Sequence, residues 1–231
     1  MSLRVFLFLA LLTPTALFAE PLRVQLPEHR TLASSETESF EPALIQRLAE
    51  ALGRSALVVA LEQQVDMRLV EGAHTGTAVY YRARPAALGA TEGTLADWSD
   101  LQGQPVCVSA HTPYASLLRE DFAAKPQEYP SAAHALIGLK LGECLAVIDD
   151  DVLLSEIAGL PEWRRYGRLL RAPFDTERQL SLAADDSGLQ LKISAMLAQW
   201  SADGQLAELT QQWVDEVAFQ AYVLADTLDC H

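Results

Sequence analysis

Tyr129-Pro-Ser-Ala-Ala-His-Ala-Leu-Ile-Gly-Leu-Lys-Leu-Gly-Glu-Cys-Leu-Ala-Val-Ile-Asp-Asp150 carries a helix, its stop and a strand in one stretch. Ala132 to Leu141 has helical spacing of its apolar positions, Gly142 ends it, and Cys144 to Ile148 is a short apolar run of the kind that forms a buried strand. Asp149, Asp150 and Asp151 lie at the strand's C-terminal end, and Val152 to Ile157 resumes a helical pattern. Helix, buried strand and helix in succession are the unit of α/β construction. Toward the N-terminus, Pro105 to Ser109 reads as a strand, Pro113 to Phe122 as a helix opened by Thr112, and Asp97 to Gly103 as a turn or short helix. Leu22 to Leu26 and Ser55 to Leu61 are strand-like, the second with Val58 and Val59 central. Between them Leu44, Ile45, Leu48 and Leu52 form one helical stripe that Gly53 stops. Toward the C-terminus, Leu180 to Ala183 is a short strand, and Leu189 to Trp200 and Leu206 to Val217 are amphipathic helices parted by Ala202-Asp203-Gly204. Val65 to Thr94, broken by four glycines and Pro85, gives no clear element.

Composition narrows the function. The chain has 231 residues, 50% of them hydrophobic, which suffices for a two-lobed domain and excludes disordered and multipass membrane classes. Its formal net charge of -14 repels phosphate backbones, so nucleic acid is not expected as a partner. Arg4, the apolar run Val5 to Leu12 and a small residue at Ala19 read as a signal peptide over residues 1–19. The run is too short to cross a bilayer core of roughly 30 Å; a retained N-terminal anchor is the competing reading. Export places the three cysteines in an oxidising compartment. Cys107 and Cys144 sit in strand-like runs and are close enough to bridge if those strands are neighbours, while Cys230 is left as a free or adventitiously paired thiol. No zinc or redox spacing of cysteines occurs, and no cofactor or metal is expected.

The order of segments resembles the periplasmic solute-binding proteins of the type II fold, in the branch that serves polar amino acid importers. Ser39-Phe-Glu-Pro-Ala-Leu-Ile-Gln-Arg-Leu-Ala-Glu-Ala-Leu-Gly53 is similar to that family's "GFDVDLAKAIAKELG". Asp100-Leu-Gln-Gly-Gln-Pro-Val-Cys-Val-Ser-Ala-His-Thr112 is similar to "DLKGKKVGVQAGT". Tyr129 to Asp150 resembles "YDSAEEALQALKSGRVDAVVGD", and Ala202-Asp-Gly-Gln-Leu206 with Leu209 and Trp213 resembles "ADGTLDRLLAKW". The resemblance implies two α/β lobes, residues 20–90 plus 184–231 and residues 91–183, joined by crossings near residues 86–93 and 180–184. It also supports a Cys107–Cys144 disulfide, since some relatives carry cysteines there. Thr112 matches the position where a helix N-terminus meets a ligand's carboxylate, and Asp150 the carboxylate that receives its amino group. Both roles are chemically apt. The alternatives are that Thr112 only caps its helix and that one of Asp149, Asp150 and Asp151 only caps the next.

The departures bear on function. From Arg54 to Val79 the chain is shorter than in relatives, and a helix backing the first-lobe sheet is missing, with the "T-x-x-x-x-R" segment whose Arg clamps a carboxylate. Under that alignment His74 takes the Thr position, and Arg82 or Arg84, beside the Tyr80-Tyr81 match to "PYY", is left to reach in from the crossover. The aromatic "PPF" loop is replaced by polar Thr31 to Ser39. His74 and His111 fall on loops of opposite lobes and, with Asp150, form a candidate pH-sensitive or metal-capable cluster; two solvated loop histidines are the plain alternative.

The expected function is a periplasmic, monomeric binding protein that captures a small polar solute, amino-acid-like or an organic acid, for an ABC permease. The alternative is an accessory or sensory module that docks a membrane receptor or periplasmic enzyme without transport. Relatives of the fold include a periplasmic dehydratase, but without the clamping Arg no general acid is identified, and no enzyme activity is expected. A bridge between Cys107 and Cys144 is expected to stabilise by roughly 2–4 kcal/mol.

Overall fold

A computed structural model describes residues 20–26, 40–60, 63–72, 74–110, 112–173 and 177–228. Residues 1–19, expected to be a leader, the polar segment 31–39, His111 and Cys230 lie outside the described residues.

The chain opens with β1 (Leu22–Gln25), whose alternate residues Leu22 and Val24 are fully buried. It continues through α1 (Phe40–Ala51), β2 (Ala56–Val59), β3 (Met67–Glu71) and β4 (Ala78–Ala83). In α1, Leu44, Ile45, Leu48 and Ala49 form the stripe that packs on the sheet, and Gly53, at φ 68°, turns the chain away. After Arg84 the chain enters a second sheet with β5 (Pro85–Gly89). There follow β6 (Pro105–Ser109), α2 (Tyr114–Asp121), β7 (Lys125–Tyr129), α3 (Ala132–Lys140), β8 (Ala146–Asp150), α4 (Asp151–Gly159) and β9 (Arg168–Arg171). The chain then returns through β10 (Arg178–Ala184) and ends in α5 (Ser187–Ala202) and α6 (Gln205–Leu228).

Two five-stranded mixed sheets result, ordered β2-β1-β3-β10-β4 and β7-β6-β8-β5-β9. In each, three neighbouring strands run parallel, β2-β1-β3 and β7-β6-β8, whereas one strand is antiparallel to both its neighbours: β10 between β3 and β4, β5 between β8 and β9. This pairing corrects the boundaries expected from sequence. Residues 85–89 belong to the second sheet and residues 178–183 to the first, so the crossings fall at Arg84 and between Arg171 and Arg178. A short apolar strand looks the same whichever sheet it joins, and only the ladder decides.

The first lobe is small. Residues 60–66 link β2 to β3, and no helix occurs among those of them described. β2 is therefore a bare edge, and Val58, expected to be central, is 54% exposed with Leu57 at 46%. At its other end the molecule is knit across the lobes. α6 lies against α1 and α5 of the first lobe and against α3 and α4 of the second. Its buried Trp213, Val214, Val217 and Ala221 share one apolar cluster with Ala133 and Leu136 of α3 and with Leu44 and Leu48 of α1. Each fully buried Leu or Val contributes roughly 1.5–3 kcal/mol relative to exposure. A second cluster, with Val106, Val108, Leu118 and Ile148, fills the opposite face of the second sheet.

In the second lobe β6 and β8 are parallel neighbours, and the Cys107–Cys144 disulfide closes across them with Cα atoms 5.7 Å apart. α3 passes directly over this bridge. A Cβ on Gly138 would meet Tyr129 Oη at 2.6 Å and Cys107 Sγ at 2.9 Å, so only glycine allows that approach.

Candidate functional site

The C-terminal ends of β6 and β8 and the hinge-side ends of β4 and β10 converge on one cavity of about 60 Å³. Both lobes build its wall. Tyr81, Arg178 and Leu180 come from the first sheet, Ser109, Asp149 and Asp150 from the second, Phe40 and Glu41 from the start of α1, and Trp213 from α6. Thr112 and Ala132 complete the second-lobe side. Strand ends beside helix starts are where α/β folds gather ligand groups.

Asp150, 1% exposed, is the centre of the site's electrostatics. Its Oδ2 accepts from Tyr81 Oη–H at 2.9 Å and from Arg178 Nη1–H at 2.9 Å, and its Oδ1 accepts from the Tyr114 hydroxyl. Arg178 also donates from Nε to Glu71 Oε1 at 3.1 Å. Burial works to lower the pKa of Arg178, but the charges of Asp150 and Glu71 prevail and raise it, so the guanidinium stays charged. Burial first, and the Asp150 charge second, push the Tyr81 and Tyr114 hydroxyls well above the ordinary tyrosine range. They therefore act as fixed donors.

Asp150 thus ties the lobes together, with Tyr81 and Arg178 on one side and Tyr114 on the other. It is the first residue ahead of α4, but its side chain makes no cap bond. Asp151 instead accepts from the Arg84 backbone N–H at 2.9 Å and anchors the crossing. Asp149 Oδ1 accepts from the Asp150 backbone N–H.

Four buried side-chain nitrogen or oxygen atoms among the described residues have no hydrogen-bond partner, and three of them belong to this cavity's wall: Arg178 Nη2, Ser109 Oγ and Trp213 Nε1. An unpaired buried polar group costs about 1–3 kcal/mol, so these atoms can take a hydrogen-bond partner from the cavity. Each of the three has a hydrogen to donate.

Of the residues singled out from sequence, Thr112 and Asp150 reach the cavity wall. Thr112 does not cap α2: its Oγ1–H donates to the Ser109 carbonyl at 2.9 Å, and Pro113 stands at the cap without a side-chain bond. His74 is exposed in the β3–β4 turn, where its ring nitrogen lies 3.0 Å from the Glu71 carbonyl. It is not part of the wall. Among the described residues, no three His, Cys, Asp or Glu side chains are grouped to hold a metal. Arg82 points outward and pairs with Glu177 at 2.7 Å, because strand alternation that turns Tyr81 inward turns its neighbour out. Arg84 sits at the crossing and is likewise outside the wall. The arginine that does reach in, Arg178, escaped the sequence reading, which began that strand at Leu180. A charged residue leading into a buried strand beside a crossing was the available signal.

No protein-family model matches the chain, and no curated protein matches its sequence. Solved structures match its fold. The arginine-, lysine-, histidine-binding protein ArtJ from Geobacillus stearothermophilus shares 15% identity at a TM-score of 0.60, covering 84% of this chain and 94% of that one. An arginine 3rd transport system periplasmic binding protein from Legionella pneumophila shares 17% identity at 0.53, covering 84% and 100%. An ancestral amino acid-binding protein described as a precursor of cyclohexadienyl dehydratase shares 17% identity at 0.59, covering 84% and 95%. The chain has the type II periplasmic binding protein fold, two mixed α/β sheets with their covering helices.

Proposed function

We propose that this chain is a periplasmic solute-binding clamp that captures a small polar solute, an amino-acid-like molecule or an organic acid, and hands it to an ABC permease. The observation that carries the reading is the cavity at the junction of the lobes, walled by both sheets and holding Arg178, a buried cation with one amino group unpaired. The unpaired Nη2 of a buried guanidinium offers a charge-assisted hydrogen bond that suits a carboxylate oxygen. Arg178 would then take the place of the clamping arginine that the shortened first lobe lacks, from a different strand. The exported leader expected at residues 1–19 and the likeness to amino acid-binding proteins support the same reading. No helix among the described residues is long and apolar enough to cross a membrane. We assign the chain no reaction and expect it to act as a monomer.

The test is a thermal-shift screen of the mature chain against amino acids, organic acids, polyamines and divalent metals. A ligand at about a hundred times its Kd adds roughly 2.7 kcal/mol, which moves Tm by several degrees. At least one small polar solute is expected to do so, and uptake of that solute is expected to fall when the gene is deleted. A cooperative melt that no solute moves contradicts the reading. The bare β2 edge, with Leu57 and Val58 exposed, favours a second reading, an accessory module that docks a receptor or periplasmic enzyme. Normal uptake in the deletion strain together with a stable complex with such a protein would select it.

A further inference from the structure

We infer that the solute held in this cavity is a short-chain monocarboxylate without an ammonium group, its oxygens taken by Arg178 Nη2, Ser109 Oγ and Trp213 Nε1. This rests on the solute-binding reading above and narrows it. The three unpaired atoms are buried on residues of one wall, Ser109 at 2% exposed, Trp213 at 7% and Arg178 at 9%. All three donate, and one of them carries a positive charge. A ligand that satisfies them brings acceptor oxygens, and a carboxylate brings two with about four lone-pair sites. Charge-assisted bonds of this kind are the strong ones.

The acceptors on the wall are already engaged. Asp150 receives three donors, from Tyr81, Tyr114 and Arg178. Asp149 receives the Asp150 backbone N–H, and Glu41 the Tyr80 hydroxyl at 3.4 Å. An amino acid's ammonium brings three hydrogens into the same space, where Asp150 has about one of its four lone-pair sites left, so it competes with Tyr81, Tyr114 and Arg178 for that carboxylate. Losing those bonds leaves buried donors unpaired, the outcome by which sites reject the wrong polar partner most strongly. Arg178 is the one cation among the described residues lining the cavity, so a second negative charge on the ligand would face Asp149, Asp150 and Glu41 with no cation of its own.

Size sets the chain length. The cavity, about 60 Å³, is small, which favours a short chain such as acetate, propionate or lactate.

The experiment is calorimetric titration of the mature chain with propionate, propionamide and alanine, which differ from one another only in the charge of the carboxyl group or the addition of an ammonium. Propionate is expected to bind one to one, with propionamide and alanine at least about tenfold weaker. The Ser109→Ala variant and the Trp213→Phe variant, which keeps an aromatic ring beside Phe40 and Tyr81, are each expected to weaken propionate by about tenfold. Alanine binding as tightly as propionate overturns the inference and leaves the solute-binding reading standing, and so does propionamide binding as tightly. Propionate affinity unchanged in both variants also overturns it, since the acid then sits elsewhere. If no compound of either class binds or shifts Tm, both the inference and the reading beneath it fail.

Discussion

Replacing Asp150 by Asn tests whether the lobes are joined through this one carboxylate. The substitution keeps the shape and removes the charge that faces Arg178 at 2.9 Å, with both side chains almost fully buried. Arg178 is then left with Glu71, which is 37% exposed and partly satisfied by solvent. Breaking a buried ion pair by removing one partner costs about 3–5 kcal/mol, because the remaining charge stays desolvated. Asn retains one carbonyl oxygen for Tyr81 or Tyr114 but not for every donor now on Asp150, so the lower half of that range is expected, about 3–4 kcal/mol. For a chain of this size each kcal/mol shifts Tm by roughly 2–4 °C, giving a drop of about 6–16 °C. Urea unfolding followed by circular dichroism, with linear extrapolation, measures the free energy directly. The double variant Asp150→Asn, Arg178→Met is expected to recover more than half the loss, since removing both partners leaves no stranded charge. A loss below about 1 kcal/mol in the single variant, or a double variant no more stable than the single, would refute the cross-lobe ion pair as a determinant of stability.

Reducing the Cys107–Cys144 bridge, which spans 37 residues, is expected to lower stability by about 4 kcal/mol on the chain-entropy estimate; equal urea midpoints with and without reductant would contradict it. Gly138→Ala is expected to cost about 1–3 kcal/mol, because the new methyl meets Tyr129 Oη and the disulfide sulfur; a neutral substitution in a melt would show that α3 has room to shift. Tyr129 is expected to ionise at about 12, raised first by burial and then by its hydrogen bond to Glu143, and ultraviolet titration reads it. The unfolded chain loses that proton near 10, so this contribution to stability is complete below pH 10 and is lost as pH rises toward 12. In Tyr129→Phe that alkaline decline is expected to be shallower, and an unchanged slope would contradict the assignment.

The parts of the fold that were legible are those whose cause is local. Ala132 to Asp150 reads correctly because helix spacing, a stop glycine at φ 74° and a continuous apolar strand all sit within one stretch. The pairing of Cys107 with Cys144 needed only that β6 and β8 be neighbours. The crossings were misplaced because β5 and β10 join their sheets through ladders with residues far along the chain, Pro85 with Asp150 and Leu180 with Glu71. α6 runs to Leu228, well beyond the expected Val217, because Ala221 continues its buried stripe onto the second lobe. Of the site, Asp150 was legible as a carboxylate at a strand end, but its three donors come from β4, α2 and β10, which no local pattern connects. Trp213 was missed for the same reason, and Arg178 because its strand was begun two residues late; only the meeting of the two lobes brings these residues to one wall.

The most direct test is a crystal structure of the mature chain grown with propionate. The account predicts a single carboxylate in the inter-lobe cavity, with oxygens within hydrogen-bond distance of Arg178 Nη2 and at least one of Ser109 Oγ and Trp213 Nε1. Propionate bound elsewhere, or Arg178 turned wholly toward Asp150 and Glu71 in a cavity holding only water, would contradict it.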